Sequence, residues 1–311
     1  MRPLRALLVY ILAVFIGGAL LAPPLYWLVQ SLAQHFPDTF AHGLAEKVAT
    51  ADFPRYVNRC ILLIALAGLW PLVKNLGFAS MAEVGFANPH GQLKKFGGGF
   101  VLGLISLAII AALAFTCHAR KLHPRLSGGE IVERLLEAAV AALITATLEE
   151  LLFRGALFGA LRKVCHWKVA LVLSSVFYAV MHYFESAKNT EAPITWLSGL
   201  HLLPLMFTNL GNFHSAIPGV FNLTIVGILL AWAYQRTGNL YFSIGLHMGW
   251  IFWVKAYAII TYTPHATDKW LWGSGRLAIV NGWVALPILL ATLLVFIWKT
   301  SNIEHRTPNI E

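Results

Sequence analysis

The stretch Thr147-Leu148-Glu149-Glu150-Leu151-Leu152-Phe153-Arg154-Gly155 sets three charged side chains among apolar ones, with Ala138–Ala146 before it and Ala156–Leu161 after it. On a helix, Glu150 and Arg154 stack on one face with the acid N-terminal to the base, the favourable order for an ion pair. Glu149 points about 100° away and meets a different neighbour. Two imidazoles stand in other apolar stretches, His182 after Val176-Phe-Tyr-Ala-Val-Met181 and His247 within Phe242-Ser-Ile-Gly-Leu-His-Met-Gly-Trp250. A carboxylate and two imidazoles brought together can activate a water and stabilise charge developing on a carbonyl oxygen. The same three groups match the donor chemistry of a catalytic zinc site, and also that of a proton relay in a carrier. Taken alone, Glu150 and Arg154 read as a buried structural pair and each histidine as a packing residue. That reading leaves Glu149 unexplained.

The elements that must position these groups follow from composition. Of 311 residues, 58% are apolar and 12% charged, against roughly 25% charged in a soluble domain. The mean hydropathy is +0.67. The apolar residues fall in runs long enough to cross a bilayer as helices, which takes about 20 residues each. These properties exclude a soluble enzyme, a nucleic-acid-binding module and a disordered scaffold. The expected fold is all-α, a single polytopic transmembrane bundle over residues 1–311. A charge at membrane depth costs about 2.5–3.5 kcal/mol on insertion scales, so charges that persist there are functional candidates.

Eight apolar runs are expected to span. They are Ala6–Val29, Cys60–Phe78, Phe96–Cys117, a helix from Glu130 to Leu161, Val169–Phe184, Gly219–Tyr234, Leu240–Tyr262 and Leu277–Trp298. Ser127 and Glu130 have the spacing of a capping box for the fourth. Gly97, Gly98, Gly99 and Gly103 permit close helix contact in the third. Trp196–Pro218 is broken by Pro204, Asn209, Gly211 and Asn212 and reads as a short interfacial or re-entrant element. His35–Arg59 reads as a loop. The first run is too long for a signal-peptide core, so it is expected to remain.

The 23 Lys and Arg against 14 Asp and Glu fit membrane interfaces and anionic headgroups rather than nucleic acid. Basic residues divide almost evenly between the two sides. Arg2, Arg5 and the Arg162–Lys168 loop favour cytoplasmic termini, with the bacterial inner membrane as the expected location. Cys60, Cys117 and Cys165 have no disulfide or metal spacing. His201, His214 and His265 lie in broken or loop regions and read as solvated.

Glu149-Glu150-x-x-x-Arg154 inside an apolar helix, then His182 and later His247, resembles the CPBP family, the CAAX prenyl proteases and the bacteriocin-processing or immunity proteins of the Abi type. The likeness covers about residues 130–260, which it marks as the catalytic core. It implies that Glu149 activates water, that His182 and His247 are the two active-site histidines, and that Glu150 and Arg154 support the site. Metal stays open: either a divalent ion such as zinc held by Glu149, His182 and His247, or none. The chain departs from the family pattern at Tyr178, where phenylalanine is usual, and at Ile251, where asparagine is frequent. Asn222 is a candidate substitute donor.

These readings lead to a membrane endopeptidase that hydrolyses a peptide bond near a membrane face. Membrane lipids and a peptide or protein substrate are its expected partners. A non-catalytic scaffold or immunity protein is the alternative, since Ile251 cannot donate a hydrogen bond, and a proton-coupled carrier is a further one. No His-Glu-x-x-His, Gly-x-Ser-Gly or Gly-x-Gly-Asp motif of other membrane proteases is present.

Overall fold

The computed structural model describes residues 2–123, 128–184, 193–206, 213–264, 267–273 and 278–301. Helices dominate: α1 (Arg2–His35), α2 (Gly43–Ala49), α3 (Phe53–Asn75), α4 (Leu93–Thr116), α5 (Gly128–Glu150), α6 (Gly159–Leu161), α7 (Trp167–Met181), α8 (Ser198–Leu205), α9 (Phe213–Thr237), α10 (Tyr241–Ile260), α11 (Lys269–Trp272) and α12 (Ala285–Ser301). A π-helical segment, Leu151–Phe158, joins α5 to α6. The only strands among the described residues are β1 (Lys121–Leu122) and β2 (Thr261–Tyr262), paired antiparallel. The helical class is as expected of a chain whose backbone must satisfy itself within lipid.

Among the described residues, five helices are long and apolar enough to cross a membrane: Pro3–His35, Phe53–Asn75, Leu93–Thr116, Ala216–Thr237 and Tyr241–Ile260. The other three expected spans fall short for identifiable reasons. The fourth carries its charges, with Glu130, Glu133, Arg134 and Glu137 near its start. The fifth and eighth correspond to shorter apolar helices, Trp167–Met181 and Ala285–Thr300. The His35–Arg59 region is not all loop, because α2 and the start of α3 lie in it, with Pro54 in the first turn of α3, where its missing N–H costs nothing. The sixth span begins at Phe213 and takes Pro218 inside it. Ser127, Asn209, Gly211, Asn212 and His265 lie outside the described residues.

The chain divides into two compact units. The first comprises Met1–Gly77 and His182–Asn212. In it α1 packs on α3 at Gly18, where a Cβ would come within 2.7 Å of the Ile61 backbone nitrogen. Tyr10 donates its hydroxyl to the Ala65 carbonyl at 2.6 Å, and Gln30 donates to Ala49 at 2.8 Å. Against α1, α8 brings Gly199 onto the Ala19 carbonyl, and Trp27 meets Trp196 edge to face.

The second unit comprises Phe78–Met181 and Phe213–Glu311. Its central contact is α10 along α4, running parallel. Gly99 faces Phe242 and Leu246, and Gly103 faces Leu246 and Gly249. Gly97 has open space around it and Gly98 only touches the Phe242 ring, so two of the four expected glycines make the close approach. α5 packs on α10 and α7 on α9. Where α6 turns into α7, Arg162 donates to Gln235 at 2.8 Å and Lys163 lies 3.7 Å from the centre of the Phe78 ring. Partial burial holds the Lys163 amine below its usual range, against the upward pull of Glu83.

Candidate active site

The carboxylates come from the end of α5. Glu150 is fully buried, while the Glu149 side chain retains 27% exposure. That division follows from the 100° step between neighbours on a helix. Immediately after Glu150 the backbone widens into the π-helical segment, a form that recurs at functional sites. Its Gly155 sits against Val84, where a Cβ would fall 2.7 Å from a side-chain carbon and 2.9 Å from the carbonyl oxygen. Arg154 in this segment reaches back to Glu150, Nη1 to Oε1, at 2.9 Å. The pairing expected from the spacing is present.

The same Oε1 also meets Nδ1 of His247 at 2.9 Å. Glu150 is therefore shared between a guanidinium and an imidazole, and it orients the ring that α10 delivers. The other ring nitrogen, Nε2, lies 3.7 Å from Oε2 of Glu149 and 3.2 Å from the Tyr178 hydroxyl on α7. Tyr178 is buried to 1% exposure. The guanidinium of Arg154 lies 4.3 Å from the centre of its ring, and Phe153 meets it edge to face at 5.1 Å. Aromatic faces attract cations at such distances, so one arginine braces both a carboxylate and a phenol ring.

The centre thus gathers Glu149, Glu150, Arg154, Tyr178 and His247, all in the second unit. The arrangement can hold the imidazole by both its nitrogens and set the Glu149 carboxylate beside its Nε2 edge. His182 directly follows α7, is partly exposed and falls in the first unit. The Tyr178 bond to His247 is made by the hydroxyl that the phenylalanine usual at this place in the resembling family would lack. The signal for it was the phenol itself, because a buried tyrosine hydroxyl needs a partner. Asn222 is not a substitute donor here. It gives its amide to the carbonyls of Val280 at 2.6 Å and Gly282 at 2.8 Å, tying α9 to the turn before α12. His201 is exposed on α8.

A metal is poorly matched by these groups. Among the described residues no three His, Cys, Asp or Glu side chains are arranged to hold one. Both nitrogens of His247 already face hydrogen-bonding partners.

Fold and site define a helical integral membrane protein with a buried Glu–His–Tyr–Arg centre. Residues 131–253 match the family model described as type II CAAX prenyl endopeptidase Rce1-like. That match is consistent with a CPBP family intramembrane protease and supports, in general terms, a CAAX-protease-like membrane endopeptidase. Neither curated proteins nor solved structures gave a match. The matched segment contains Glu149, Glu150, Arg154, Tyr178, His182 and His247.

Proposed function

We propose that the chain hydrolyses a peptide bond of a membrane-associated peptide or protein, with residues 130–260 as its catalytic core and Glu149 as the base. The observation that carries this reading is the position of Glu149 at 3.7 Å from an imidazole that Glu150 holds by its other nitrogen. Glu149 takes a proton from water as the water oxygen bonds to the scissile carbonyl carbon. His247 orients the water or the oxyanion that forms on the carbonyl. Collapse of the tetrahedral intermediate breaks the C–N bond, and the proton held by Glu149 passes to the departing amine. By resemblance, His182 assists Glu149. Glu150 and Arg154 keep His247 in place. The reaction runs in a cell membrane, with the termini on the cytoplasmic side.

A peptidase assay on purified, lipid-reconstituted protein tests this. Glu149→Ala is expected to lose turnover by at least about 10²-fold, the usual contribution of a general base. The loss falls on kcat with KM little changed, because the base acts only in the transition state. Cleavage by Glu149→Ala at the wild-type rate would remove the enzyme reading.

A further inference from the structure

Within the second unit, the stretch from the end of α6 into α7 carries Arg162, Lys163 and Lys168, and the last turn of α9 carries Arg236. The two places are joined, because Arg162 donates to Gln235 and lies 5.2 Å from the centre of the Tyr234 ring. Lys163 has the charge of Glu83 nearby. Lys168 and Arg236 make no ion pair among the described residues. Each lies over an indole instead, Lys168 at 5.8 Å from the centre of the Trp167 ring and Arg236 at 5.0 Å from that of Trp232. Those two rings meet edge to face at 5.4 Å, so both cations border one aromatic shelf. Helix stability does not account for Lys168, since α7 begins at Trp167 and a cation in a first turn opposes the helix dipole. Further along α7, Val172 and Val176 are exposed, about 40° and 80° round from Lys168.

We propose that this shelf binds an anionic phospholipid, with the headgroup phosphate held by Lys168 and Arg236 and the acyl chains lying along Val172 and Val176. The charges are complementary: two cations without an acidic partner meet the one anionic group that a membrane surface supplies in quantity. A guanidinium offers a planar fork to phosphate oxygens and an ammonium a compact charge beside it. Indoles favour the level of the headgroups, and their faces attract the two cations, so Trp167 and Trp232 hold the charges where a lipid phosphate lies. Arg162 and Gln235 fix the end of α9 against the start of α7. A free phosphate or an acidic peptide would meet the same cations and gain nothing from the two valines. The shelf uses no residue of the Glu149–His247 centre, and the inference is independent of the protease reading.

Equilibrium binding of radiolabelled phosphatidylglycerol to the full chain, in micelles that contain phosphatidylcholine, tests this. The wild-type protein is expected to bind the lipid saturably. Lys168→Gln combined with Arg236→Gln is expected to weaken binding by about 10-fold or more, since each basic residue beside anionic headgroups contributes a factor of about five. Lys94→Gln combined with Lys95→Gln removes the same charge from the start of α4, where both lysines are exposed, and is expected to leave the affinity unchanged. Should the first pair disturb the fold, Lys168→Gln alone, at an exposed side chain, carries the test with a loss of about fivefold. Binding that never saturates in the wild type overturns the proposal. An equal loss in both pairs does the same, because the effect is then one of net charge. Displacement of the lipid by an equal concentration of inorganic phosphate or of polyglutamate also overturns it, and makes the shelf a site for a soluble anion.

Discussion

Helix α10 makes two contacts of opposite kind. On one face Gly245 and Gly249 meet α4 backbone to backbone, with a Cβ at Gly249 only 2.7 Å from the Phe100 carbonyl oxygen. His247 lies between them in sequence, about 200° round from Gly245, and enters the polar centre of Glu149, Glu150, Arg154 and Tyr178. The seam has no charge and the centre has three. In lipid, helices gain little from hydrophobic association, so close van der Waals contact through small residues must hold them. The polar centre is expensive to desolvate and is a poor source of net stability. The comparison teaches a division of labour, in which the glycine seam sets where α10 stands and the centre uses that position for chemistry.

Breaking the seam should have the largest effect. A Cβ at Gly245 would collide with the Phe96 carbonyl oxygen and lie 3.0 Å from the Phe100 amide nitrogen. Both are backbone atoms, so no rotamer change relieves the clash. Gly245→Val is expected to cost more than about 4 kcal/mol, at the exceptional end for single substitutions, and to leave no monodisperse protein on extraction. Recovery of a Gly245→Val protein with wild-type melting would show that the seam does not set the position of α10.

Breaking the centre should come next. Arg154→Ala leaves Glu150 buried without its cation, which costs about 3–5 kcal/mol. Thermal unfolding is expected to shift down accordingly. Adding Glu150→Gln should restore part of the loss, because the neutral amide needs no counter-charge and its oxygen still accepts from Nδ1 of His247. Full stability of Arg154→Ala together with lost activity would move Arg154 from support into the chemistry.

The Glu150–Arg154 pair was legible in the sequence because it is local, a single turn on one helix. So was the helical membrane class, since apolar run length and charge depletion are properties of composition. The bond from Glu150 to His247 was not, because it spans 97 positions and depends on how α10 packs against α5. Glu149 was singled out as a second carboxylate without an account, but which imidazole nitrogen it faces is a property of tertiary structure. The π-helical widening after Glu150 leaves no mark in residue type, so the fourth helix reads as one uniform run. Asn222 was read as a possible donor for the reaction, yet its partners are carbonyls 58 and 60 residues away. Glycines show the same limit: four in α4 are equally suited to close packing, and the register with α10 selects Gly99 and Gly103.

The smallest expected effect sharpens the comparison, because it touches the seam through a hydrogen bond and leaves the centre alone. Trp250, on α10, donates Nε1 to the Ser106 hydroxyl of α4 at 2.8 Å, and that hydroxyl donates to the Gly103 carbonyl at 3.0 Å. Both side chains are buried. Ser106→Ala strands the indole N–H away from water, a loss of about 1–3 kcal/mol. Alanine's better helix propensity returns about 0.5 kcal/mol of this. The Gly103 carbonyl loses little, since it remains within the backbone ladder of α4. A modest fall in melting temperature is expected, with peptidase kcat unchanged in the folded fraction. If Ser106→Ala instead lowered kcat with stability intact, the two faces of α10 would be coupled, and the seam would be part of the catalytic geometry rather than its support.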